Sequence, residues 1–84
     1  MSYTVVVAKS AQKHLLAFSR EVRERLSVRI AALASVPRPP GVKKLRGREA
    51  WRIRVGDHRV IYEIHDQVLR VIVIDVGHRR EIYR

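Results

Sequence analysis

Apolar positions recur along this chain with two different spacings, and the change of period divides it. Residues 3–8, YTVVVA, are a continuous β-branched and apolar run, the pattern of a strand. From residue 11 the period lengthens. Ala11, Leu15 and Phe18 share one face, which predicts a helix over 11–18 with Ser10 as its N-cap. Ser19 is placed to cap a second helix running to about Ala34, because Val22, Leu26, Ile30 and Leu33 recur at spacings of four, four and three. Glu21 and Arg25 stand four apart on its outer side, in the order that favours pairing. Val36 then meets PRPPG, which stops the helix and makes a short stiff connector.

Beyond residue 49 the period becomes two. Residues 50–55 (AWRIRV), 58–65 (HRVIYEIH) and 68–76 (VLRVIVIDV) read as strands, separated by Gly56-Asp57 and Asp66-Gln67 as two-residue hairpin turns. The first turn pairs Arg54 with Arg59 and Ile53 with Val60. The second pairs Glu63 with Arg70, Ile61 with Ile72 and Tyr62 with Val71. Alternation then puts Trp51, Ile53, Val55, Val60, Tyr62, Ile64, Leu69, Val71 and Val73 on a core face. Arg52, Arg54, Arg59, Ile61, Glu63, Arg70, Ile72 and Ile74 fall on the other. The expected architecture is α+β: an N-terminal strand, a helical hairpin and a three-stranded antiparallel meander, with the helices packed on one face of the sheet and the other left open. Nothing repeats, and the connector is too short to divide the chain, so residues 1–84 are read as one domain.

Charge changes the picture most. Eighteen Lys and Arg against eight Asp and Glu give +10. Residues 38–59 hold eight basic and two acidic side chains, so more than half of the excess is local. Such a field attracts polyanions and speeds encounter with them. There is no cysteine, which removes disulfides and thiolate metal sites and suits a reducing cytosol. The first residues lack the charged region and cleavage pattern of a signal peptide, and no apolar stretch is long enough to span a bilayer. A cytoplasmic location is expected.

The register turns charge into candidate chemistry. Glu63 opposite Arg70 is an ordinary stabilising pair, whereas Arg54 opposite Arg59, with Arg52 two residues along, costs stability unless a negative partner relieves it. Guanidiniums hold phosphate through paired hydrogen bonds, so these three are candidate phosphate ligands. Lys43, Lys44, Arg46 and Arg48 precede that strand and extend the path along a nucleic-acid backbone, or serve singly for solubility. The chain ends in VGHRREIYR. Gly77 ends the last strand and breaks the alternation, freeing His78 and Arg79 to turn toward the open face, although parity does not determine their facing. His78 is the one group of this tail that changes charge near neutral pH, a candidate acid or base. Arg80 adds charge, and Tyr83 either stacks on a base or packs at a core edge. No Ser-His-Asp arrangement, Gly-rich phosphate loop or metal-ligand spacing is visible, so no cofactor or metal is expected.

The arrangement KKLRGREAWRIRVGDHRVIYEIHDQVLRVIVIDVGHRREIYR resembles the C-terminal half of the RelE/ParE superfamily of toxin–antitoxin toxins, nearer to RelE. YTVVVAKSAQKHL, the helical hairpin and the SVPRPP bend extend the likeness over the whole chain. The resemblance implies a small, metal-free endoribonuclease in which the 2′-hydroxyl of mRNA attacks the adjacent phosphate, in the best-known branch on the ribosome. It also implies a cognate antitoxin that binds the toxin as a hetero-oligomer. By position, Arg46, Arg52, Arg54, Arg59, Arg79 and Tyr83 match the family's functional places. Arg52 and Arg54 stand where well-known enzymes have lysines, one of them a proposed proton acceptor. Arginine stays charged at any reachable pH, so Arg54 is unfit for that role. His78 is then the preferred acid or base, with Tyr83 second. The alternative within the superfamily is a ParE-like toxin that poisons DNA gyrase without cutting RNA. A third reading is a basic RNA-binding module without activity.

Overall fold

A computed structural model describes residues 2–78 of the chain. Strand β1 (Thr4–Val7) leads into helices α1 (Lys9–Ala17) and α2 (Arg20–Ala32). Then follow β2 (Lys43–Lys44), β3 (Trp51–Val55), β4 (His58–His65) and β5 (Arg70–His78). The five strands form one sheet in the order β1-β5-β4-β3-β2, with β1 parallel to β5 and the other pairs antiparallel. The expected α+β layering is present, enlarged by the two-residue edge strand β2.

The helices follow their apolar stripes. Leu26, Ile30 and Leu33 of the second stripe are buried, and the Ser19 hydroxyl accepts from the Val22 N–H at 3.3 Å, the expected cap. Helix α1 differs at its start: it begins at Lys9 behind Ala8, and Ser10 lies inside it. The Ala8 carbonyl is already taken by the Gln12 N–H at 2.9 Å, so the helix starts straight from the strand. The Ser10 hydroxyl instead reaches the Ile74 carbonyl of β5 at 3.4 Å. Along α2 the observed ion pair is Arg20 with Glu24, at 3.1 Å. Ala11, Leu26, Ile30 and Leu33 pack on Ile53, Val55, Val60, Tyr62, Val71, Val73 and Val76, all buried, to make the core.

The hairpin at Gly56-Asp57 forms as expected. Val55 faces His58 across it, and Gly56 takes φ +62°, where a side chain would be strained. The second hairpin does not form as expected. Asp66–Val68 wind into a short 3₁₀ turn and Leu69 adopts φ +50°, so four residues connect the strands and Leu69 is outside β5. Glu63 consequently faces Ile72 rather than Arg70, and Tyr62 faces Val73 rather than Val71. The slip is two residues. It therefore changes every pair while leaving Tyr62, Ile64, Val71 and Val73 on one face, which is why the core survives the wrong register.

A second irregularity does change facing. Tyr62 pairs with Val73 but Ile61 pairs with Asp75, leaving Ile74 as an extra residue in β5. Past this bulge the parity of β5 inverts, and Val76 joins the core opposite Val60. Helix α1 is tied to the bulge by Ser10 and by the His14 ring, whose Nδ1 lies 2.9 Å from the Asp75 carboxylate and 3.1 Å from the Val76 carbonyl.

At the far end of the sheet the connector, the second hairpin and the N-terminal segment are clasped together. The buried Tyr62 hydroxyl donates to the Pro37 carbonyl at 2.7 Å, and burial pushes its pKa up to about 12. Arg38 donates to both Asp66 oxygens at 3.2 and 2.9 Å, and the Tyr3 hydroxyl donates to the same carboxylate at 2.6 Å. Arg38 first and Tyr3 second hold the Asp66 carboxyl down at about 2, from an ordinary value of 3.8. A depressed carboxyl stabilises the fold above its unfolded pKa and loses that contribution as pH falls through the folded one. Urea unfolding between pH 4 and about 2 should therefore show a loss of stability that Asp66→Asn removes. The half-exposed site is screened, so the effect should be modest.

Candidate nucleic-acid interface

The first hairpin sets the geometry of the arginines. Arg54 faces Arg59 and Arg52 faces Ile61, as alternation predicts, and the edge strand adds Lys43 opposite Arg52. Gly77 of β5 lies opposite Arg59 on its other side. Arg54 and Arg59 thus stand directly opposite one another, like charge against like.

The expectation of an open face needs correction. Arg59 is 1% exposed, Arg52 is 9% exposed and Ile61 is buried, whereas Arg54 is exposed. Arg59 sits on a central strand and Arg52 on β3 between β2 and β4. Strand β2 ends its pairing at Trp51 and Arg52, so among the described residues Arg54 has no strand partner on that side. Lys43, Lys44, Arg46 and Arg48 are exposed in and after β2, with Lys44 3.2 Å from the carboxylate of Glu49.

His78 is placed differently from the sequence expectation. Strand β5 continues through Gly77, and the bulge at Ile74 has already inverted its parity. His78 therefore pairs with His58 on the helix side of the sheet. Their rings meet edge to face, with centroids 5.7 Å apart, and the His58 ring meets Phe18 of the interhelical corner at 4.8 Å. The imidazole is a rung of an aromatic ladder, turned away from Arg54 and Arg59. Arg79, Arg80 and Tyr83 lie outside the described residues. Among the described residues no three His, Asp or Glu side chains converge as metal ligands.

What the arrangement can do chemically is bind anions. Arg52 and Arg59 contribute positive charge from within that face. One exposed arginine and a lysine on the same face extend that field toward solvent.

The sequence profile of the ParE toxin of type II toxin–antitoxin systems, parDE, matches residues 5–83. The chain belongs to this family, within the RelE/ParE superfamily. A search of curated protein sequences finds no match. Among solved structures, the isolated Escherichia coli RelE toxin is 29% identical, with a TM-score of 0.79, covering 98% of this chain and 92% of that one. RelE from the RelE–RelB complex of Pyrococcus horikoshii is 27% identical at TM-score 0.83, covering 94% and 97%. The RelBE2 toxin–antitoxin complex of Mycobacterium tuberculosis, 24% identical at TM-score 0.84 over 94% and 100%, shares the fold. The protein is thus a type II toxin of the RelE/ParE superfamily, and its fold is that of RelE.

Burial predicts a split between the two facing arginines of this toxin. Arg59→Ala empties a buried site and should cost about 2 kcal/mol or more in urea unfolding. Arg54→Ala removes an exposed cation opposite another and should leave stability within about 0.5 kcal/mol of the parent.

Proposed function

We propose that this toxin is an endoribonuclease of the RelE type that cleaves mRNA on the ribosome, in the cytoplasm, and is held inactive by a cognate antitoxin. The observation that supports this best is the cluster of cations on one sheet face: Arg54 opposite Arg59, Arg52 alongside and Lys43 at its edge. In the reaction the RNA 2′-oxygen attacks phosphorus and loses its proton to an acceptor. The bond to the 5′-oxygen breaks, and that oxygen takes up a proton, leaving a 2′,3′-cyclic phosphate. Charge on the non-bridging oxygens grows at the crowded phosphorus, where fixed guanidiniums lower the barrier. Arg54 takes this role at the phosphate, the buried Arg59 adds its charge from behind it, and Arg46, Lys44, Arg48 and Arg80 hold the backbone on either side. Arg79 and Tyr83 join them by the superfamily resemblance, Arg79 at the phosphate and Tyr83 at the base or the proton. His78, stacked on the helix side, is not assigned the proton transfer.

The antitoxin part of the reading is supported by the E. coli and P. horikoshii relatives, whose structures were solved as complexes of RelE with RelB. A second reading, gyrase poisoning without RNA cleavage, is favoured by the ParE profile match and by the arginines that stand in place of lysines at 52 and 54. Mapping 5′ ends of cellular mRNA after brief induction, beside a gyrase supercoiling assay, separates the two. Discrete new ends with unaffected supercoiling are expected, and blocked supercoiling with intact mRNA would establish the second. Arg54→Gln should reduce cleavage about tenfold or more. It should also flatten the salt dependence of RNA binding by about one in slope.

A further inference from the structure

Strand β2 divides the basic charge between the two sides of the sheet. Lys43 faces Arg52 and belongs to the arginine face, while its neighbour Lys44 faces Trp51 on the helix side. There the half-buried Trp51 ring is approached by two cations: the Arg38 guanidinium at 5.0 Å from the ring centroid and the Lys44 ammonium at 5.9 Å. Arg38 is fixed by its paired bonds to Asp66. Among the described residues Lys44 has one ion pair, to Glu49, whose side chain is 89% exposed, a pair of the weakest kind. A polyanion that follows the arginine face reaches the sheet edge at Lys43, and the next cation around that edge is Lys44.

We infer that Trp51, Arg38 and Lys44 form a second RNA contact, on the helix side of the β2 edge, which takes one nucleobase and its phosphate from a single-stranded segment. The ammonium leaves Glu49 for the phosphate, and the indole face it covered receives the base. Aromatic rings bind bases without regard to sequence, and neighbouring cations supply the backbone charge. This contact extends the RNA-directed reading above: Lys44 is shared with it, while Trp51 and Arg38 are separate from the groups given a part in cleavage.

Trp51 is the single tryptophan of the chain, so its fluorescence reports this place alone. Titration with a short single-stranded RNA carrying 2′-O-methyl sugars, which block cleavage, should quench it to saturation, less strongly as salt rises. Lys44→Gln should weaken binding about threefold and reduce the salt slope by about one. Trp51→Leu, with its fold verified by circular dichroism, should lower affinity for labelled RNA about tenfold, and Trp51→Phe should restore most of it. RNA that binds by anisotropy without quenching Trp51 would overturn the inference, as would absence of binding. Equal quenching by poly-glutamate, which has no bases, would also overturn it and mark an acidic-peptide surface. Cleavage of unmodified mRNA on ribosomes is scored separately. Cleavage without quenching rejects this contact and keeps the ribonuclease, and quenching without cleavage does the reverse.

Discussion

One extra residue in β5 governs how this molecule distributes its chemistry. Because strand side chains alternate, inserting Ile74 between Val73 and Asp75 reverses the facing of everything that follows. Val76 enters the core opposite Val60, Gly77 comes opposite Arg59, and His78 joins His58 and Phe18 beneath the helices. Without the bulge, the imidazole would face the arginines and the valine would face away from the core. Helix α1 maintains the irregularity, with Ser10 on the Ile74 carbonyl and His14 on Asp75 and the Val76 carbonyl. The inverted parity thus rests on a long-range contact between the first helix and the last strand.

The result is a sheet with a cationic side and a packed side. Arg54 and Arg59 stand opposite one another there, and like charges so placed in a sheet are unfavourable. The hydrophobic core on the other side carries the stability that tolerates it. The clasp of Tyr3, Arg38 and Asp66, with Tyr62 on Pro37, keeps the proline connector and the second hairpin in place beside Trp51. A rigid frame that presents loops and an edge strand is a general way to build binding sites.

Most of the architecture was legible in the linear pattern, for reasons that are local. Helical stripes of spacing four and three, Ser19 as a cap, the PRPPG break and the glycine of the first hairpin each act within a few residues. They therefore specify helix α2, the turn at Gly56 and the pairing of Arg54 with Arg59 without help from the rest of the chain. The basic excess in residues 38–59 is likewise a property of the sequence alone, and so is the choice of one sheet face for Arg52, Arg54 and Arg59. The superfamily could be recognised from the same segments.

Tertiary structure decided what depends on neighbours far along the chain. The 3₁₀ turn at Asp66–Val68 belongs to a carboxylate gripped by Arg38 and Tyr3, so its strand register could not be read from Asp66-Gln67 alone. The bulge at Ile74 depends on α1, which no alternation in β5 announces. The burial of Arg59 and exposure of Arg54 follow from strand order and from where β2 stops, neither of which is a sequence period. The placing of Trp51 under Arg38 and Lys44 joins three separate segments. Sequence determined which side chains alternate; only the packing of α1 and the connector against the sheet determined where that alternation is interrupted.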